Sequence, residues 1–147
     1  MEFGIVNKGA FTLVGIPVRA HWEALWTEMP RAWGNWFTRY NEVKGKTGPT
    51  SIDASLAVQD GEYFQLIGAE VSEAHDVPSD MICVDIPPKR YVFTEHQGPL
   101  EAIADSFGAM YKWAQNKGHK VGDFKLDIGY TPSGNESLHQ LYIELLD

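Results

Sequence analysis

The sequence predicts an α+β domain in which a strand–helix–strand–strand module occurs twice. The two copies form an antiparallel sheet with both helices on one face and a cleft between them. Three observations carry this. A β-branched run is followed by aromatics at three- and four-residue spacing. A turn dipeptide, Asp60-Gly61, joins two strand-like runs. The same order of patterns then returns after residue 80. The chain has 147 residues, 44% of them hydrophobic, which fits one domain over 1–147. Its first repeat is expected over about 8–73 and its second over about 81–147.

Phe11 to Ala20 is rich in β-branched residues, and Pro17 marks an edge or a bulge near its end. Trp22, Leu25, Trp26, Met29, Trp33, Trp36, Phe37 and Tyr40 then follow a helical period, with a break expected at Pro30. Gly45 to Pro49 is a loop by composition. Ser51–Val58 and Tyr63–Val71 are strands joined by the Asp60-Gly61 turn. The polar segment from Ser72 to Asp80 connects the halves, and Met81 to Ile86 is a short extended piece closed by Pro87-Pro88.

In the second half, Arg90–His96 is a strand and Gln97-Gly98-Pro99 turns the chain. Leu100, Ile103, Ala104, Phe107, Tyr111 and Ala114 mark one face of a helix that stops near Lys117-Gly118. Trp113 lies off that stripe, so it is expected on a rim or a protein interface. Phe124, Leu126, Ile128 and Tyr130 alternate with Lys125, Asp127 and Gly129, a strand period. Thr131 to Asn135 is a loop, and His139–Leu145 is the last strand.

The composition excludes several functions. With 12 basic and 20 acidic side chains spread over both halves, no basic stripe exists to neutralise phosphates, so no direct nucleic-acid contact is expected. The lone Cys83 rules out an intramolecular disulfide and fits a reducing compartment. No signal peptide or membrane-length apolar run is present, so a soluble cytoplasmic domain is expected, with no membrane partner. Gly45-Lys46-Thr47 looks like the end of a phosphate loop, but Tyr40 stands where the motif needs Gly. The five histidines are not spaced as helical metal pairs, so no metal or cofactor is expected.

The aromatic excess needs an account. Two helices over one sheet seldom need four Trp in one helical region for packing alone. Trp33, Trp36, Phe37, Phe107 and Tyr111 are therefore candidates for lining the cleft; packing into the core is the simpler alternative.

Four pieces together resemble GyrI-like effector-binding domains, the AraC-type, SHS2-repeat family of small-molecule binders. They are Pro30–Phe37, Tyr63–Val71, the Tyr-x-x-Phe and Gly-Pro pattern of Arg90–Pro99, and Leu141-Tyr142-Ile143, in family order over about residues 8 to 147. The resemblance implies a two-repeat domain that binds small molecules in a central cleft, often lipophilic, aromatic and cationic ones. Members are fused to AraC-type or MerR-type DNA-binding domains or stand alone; this chain resembles a stand-alone member. Some stand-alone members act on gyrase and others hydrolyse strained electrophiles. These give two alternatives to binding: a hydrolase with Glu144 or Glu95 as base, and a protein-interaction module.

The resemblance also implies site residues. A Glu commonly precedes the apolar-Tyr-apolar run of the family's last strand and meets the cation; the matching position here is Gln140. Tyr142 keeps its match, and Glu144 stands where Pro is common. By period two, Gln140, Tyr142 and Glu144 share one face, so either Glu144 supplies the missing charge or the pocket is neutral.

Overall fold

The computed structural model describes residues 1–134 and 138–147, so the loop reading at Asn135 lies outside the described residues. Eight strands form one sheet: β1 (Gly4–Lys8), β2 (Phe11–His21), β3 (Ser51–Gln59), β4 (Glu62–Val71), β5 (Ile82–Ile86), β6 (Lys89–Gln97), β7 (Val121–Tyr130) and β8 (Leu138–Leu145). The helices are α1 (Trp22–Thr38) and α2 (Ile103–Asn116). Among the described residues, no helix is long and apolar enough to cross a membrane.

The strand order is β1-β6-β8-β7-β3-β4-β2-β5, and every pairing is antiparallel. The order reads alike from both ends: β6-β8-β7 mirrors β2-β4-β3, with β3 and β7 paired at the centre. The α+β class and the doubled strand–helix–strand–strand order are as the sequence predicts. The outer strands cross over, since β1 flanks β6 of the second half and β5 flanks β2 of the first.

Several elements depart from expectation. β1 had no signal in the sequence, being only five residues of mixed character at the sheet edge. Pro30 does not break α1, which runs through it as one helix. Pro30 is on the exposed side, where the Trp26 carbonyl it leaves without a partner can meet solvent, while Ala32 and Trp36 anchor the helix to the sheet. Pro17 fits the edge reading, because β5 pairs only Phe11–Gly15 and leaves that flank of β2 open further along. Gly15 and Gly68 face each other across β2 and β4, and a Cβ on Gly15 would meet the Ile67 carbonyl oxygen at 2.1 Å, so the strands approach closely only because both are Gly.

Both sheet faces are covered. On one face, α1 packs on Val14, Ile16, Val18, Ile67, Ala69 and Val71, and α2 on Val92, Leu141, Ile143 and Leu145. The stripe α2 buries is Ile103, Ser106, Met110 and Ala114, which turns Phe107 and Tyr111 toward its edge. Trp113 is a correction: it packs into this cluster, 5.9 Å from Phe3 and 6.0 Å from His119 between ring centres, because the N-terminal segment covers it. The opposite face holds Leu13, Ile52, Ala54, Leu66, Ile86, Tyr91, Phe124 and Leu126. Lys8 of β1 reaches Glu70 of β4 at 3.8 Å on this side, so the sheet curls around this second core.

Candidate functional site

The helices cover the two flanks of the sheet, α1 over β2 and β4, α2 over β6 and β8. The central pair, β3 and β7, lies beneath the gap. Across that gap runs a row of polar side chains on the helix face: Gln65 of β4, Ser55 and Asp53 of β3, Lys125 and Asp127 of β7, and His139 of β8. Asp53 stands opposite Asp127 in the strand register, and Ser55 opposite Lys125.

Each member of the row is held by its neighbours. The Gln65 amide nitrogen donates to Asp53 Oδ1 at 3.0 Å and to Ser55 Oγ at 2.9 Å. That fixes the amide and leaves its carbonyl oxygen, buried, with no hydrogen-bond partner among the described residues. Asp127, only 5% exposed, accepts from the Tyr130 hydroxyl at 2.6 Å and pairs with His139 Nδ1 at 2.5 Å. With Nδ1 on a carboxylate, His139 presents Nε2 as a second buried atom without a partner among the described residues. The His139 ring fits because Gly129 has no Cβ; one there would lie 2.9 Å from its Cγ.

Electrostatics follow from burial and crowding. Desolvation, with Asp127 adding to it, pushes the Asp53 carboxyl up to about 7, against the Gln65 hydrogen bond and Lys125. Desolvation likewise lowers the Lys125 ammonium, opposed by Asp53, Asp123 and Asp127. Two carboxylates and one ammonium thus share a poorly hydrated floor.

The rims are aromatic. Trp33 of α1 lies 4.2 Å from Tyr130 and 5.4 Å from Phe37, ring centre to ring centre. Trp22 sits 5.8 Å from Tyr63 and 6.0 Å from Trp26. On the α2 side, Lys125 Nζ lies 4.9 Å from the Phe107 ring centre and 5.7 Å from that of Tyr111. The Tyr111 hydroxyl is raised by desolvation first and then by Asp123 and Tyr63, so Tyr63 and Tyr111 are near enough to interact.

The eight residues singled out from the sequence therefore divide. Trp33, Phe107 and Tyr111 border the groove, and Phe37 stacks beside Trp33. Trp36 is on the same face but is 0% exposed, donating to Ser51 Oγ at 2.9 Å, which makes it core. Gln140, Tyr142 and Glu144 are a correction. They lie on the face away from the helices, because Leu141, Ile143 and Leu145 take the α2 side. Tyr142 packs against Tyr91 and Phe93, and Glu144 accepts from Lys89 at 2.7 Å. Glu95 pairs in register with Gln140 and shares that far face. Glu144 is thus committed to a lysine on the far face and does not supply the charge expected in the cleft. Lys46, from the phosphate-loop lookalike, is spent on the Tyr40 and Val43 carbonyls.

What sequence reasoning missed is the floor itself. Lys125 and Asp127 entered only as the polar alternates of a strand period; Asp53 sits among small residues and carried no signal. Tyr130 was grouped with Phe124, Leu126 and Ile128, but an irregularity in the β3–β7 pairing at Ser51/Ile52 turns it to the helix side, over Asp127. Two surface cavities lie elsewhere, about 310 Å³ beside Phe11, Glu70 and Asp85, and about 650 Å³ beside Phe3, Phe93 and Glu95.

Comparison with known proteins agrees with this architecture. The structure of SAV2435 bound to tetraphenylphosphonium superposes with a TM-score of 0.78 at 14% identity, covering 99% of this chain and 94% of that one. The Vibrio cholerae integron cassette protein VCH_CASS2 gives 0.65 at 12% identity, covering 98% and 95%. At these identities the likeness is one of fold. The Pseudomonas aeruginosa PAO1 transcriptional regulator BrlR is 31% identical over 112 residues, which are 76% of this chain and 41% of BrlR. The chain thus spans about two fifths of that relative's length. The model of the integron-associated effector-binding proteins matches residues 4–146, nearly the whole chain. The resemblance to GyrI-like effector-binding domains is upheld, and the chain belongs to the integron-associated effector-binding protein family.

Proposed function

We propose that the chain senses or sequesters a lipophilic, aromatic cation in the groove between α1 and α2. The observation that carries this reading is the pairing of Asp53 with Asp127 on the groove floor, beneath rims formed by Trp33, Phe107 and Tyr111. A poorly hydrated carboxylate favours an incoming cation that can shed its own water, and flat ring faces favour aromatic ligands. The tetraphenylphosphonium bound to SAV2435 has this character and is a suitable probe. The hydrolase alternative loses its proposed bases, since Glu144 is ion-paired and both Glu144 and Glu95 lie across the sheet.

Titration of tetraphenylphosphonium into the full chain at pH 8 tests the reading. Binding is expected, with affinity falling about tenfold or more in Asp53→Asn, the scale of a lost interaction with a charged group. Absence of binding by this and related aryl cations, or unchanged affinity in Asp53→Asn, would overturn it.

A further inference from the structure

We propose that Lys125 is the groove's resident cation, its ammonium resting where the charged centre of a bound ligand is seated, so that binding exchanges one cation for another. The inference deepens the reading above and rests on it. Lys125 is the one member of the polar row that rises to the α2 rim, with Nζ over the rings of both Phe107 and Tyr111. Among the described residues it makes no ion pair within 4.0 Å, although Asp53, Asp123 and Asp127 all act on its charge from further away. Ring faces hold this ammonium, with the carboxylates of the floor behind it. That is the environment a lipophilic cation requires, already filled by the chain itself.

Two like charges over the same rings repel in a site that water screens poorly. A ligand cation therefore enters as Lys125 leaves. The lysine has a flexible four-carbon stem, and exposed Asp123, two residues back on β7, bears on both Lys125 and Tyr111 and can receive the displaced ammonium. The exchange keeps the charge of the groove constant, which matches the site to singly charged aromatic cations. It also means that Lys125 sets the affinity threshold by competing from within.

The test is calorimetric titration at pH 8 of wild type, Lys125→Met and Lys125→Arg. The probes are tetraphenylphosphonium and neutral triphenylphosphine oxide. Lys125→Met is expected to bind the cation about tenfold tighter or more and to leave the neutral probe within about twofold, with urea stability at or below wild type because Asp53 and Asp127 lose their ammonium. Lys125→Arg, which keeps the charge, is expected to stay near wild type. If Lys125→Met does not fold, Lys125→Gln carries the same expectation. Equal or weaker cation binding in the neutralised variant overturns the proposal while leaving the cation site intact. An equal gain for both probes also overturns it, since space and not charge would then be limiting. Failure of every form of the chain to bind either probe removes the cation site and this proposal together.

Discussion

The two faces of the sheet use the same strands at similar depth and carry opposite chemistry. Away from the helices, β3, β4 and β7 present Ile52, Ala54, Leu66 and Leu126, all nearly inaccessible. Toward the helices the same strands present Asp53, Ser55, Gln65, Lys125 and Asp127. The first face is a core that fills space. The second leaves a polar row between two helices, including two buried atoms, Gln65 Oε1 and His139 Nε2, without partners among the described residues. Apolar residues at such positions usually stabilise a fold at least as well as buried charges. Stability therefore explains the far face and not the polar row.

Mutations on the two faces should separate stability from binding. The largest effect is expected on the far face: Leu126→Ala should cost about 2–5 kcal/mol in urea unfolding and leave the affinity of the remaining folded protein near wild type. If ligand affinity collapsed as well, the two faces would not be independent. Next is Trp36→Phe, which removes the bond to Ser51 and part of the α1 anchor, for about 2 kcal/mol with little change in binding. Asp53→Asn sharpens the comparison through pH. The folded carboxyl holds its proton up to about 7, whereas an unfolded one releases it near 4. The folded chain thus binds more protons over that window, so wild-type stability should fall as pH rises from about 4 to about 7 and level off above. Asp53→Asn should remove that component, as unfolding midpoints across the window would reveal; an unaltered slope would mean that Asp53 titrates normally. The smallest effect is expected from Tyr142→Phe, within about 0.5 kcal/mol and with unchanged affinity for the aryl cation. Weaker binding in that variant would move the site to the far face.

Much of the fold was legible. The Asp60-Gly61 turn, the Lys117-Gly118 stop and the recurrence of one pattern order placed seven of the eight strands and both helices. β1 escaped because five residues of mixed polarity carry no period, and its strand character depends on β6 beside it. Pro30 misled because Pro usually ends a helix; here its position on the exposed side lets α1 continue. Of the proposed groove, the aromatics Trp33, Phe107 and Tyr111 are the part that composition and helical spacing point to. The last-strand candidates were grouped correctly on one face, and that face turned toward the other core.

The sequence by itself determined the element types, the hairpin pairing, the two-repeat order and a family resemblance. These follow from local periods and turn chemistry, which each segment carries alone. Only the tertiary structure decided which face of each strand meets the helices, where the gap between α1 and α2 falls, and that Tyr130 turns toward Trp33. A period of two separates a strand's faces without saying what covers either. Asp53, Lys125 and Asp127 acquire their chemistry because distant segments exclude water around them, and that exclusion is a property of the assembled fold.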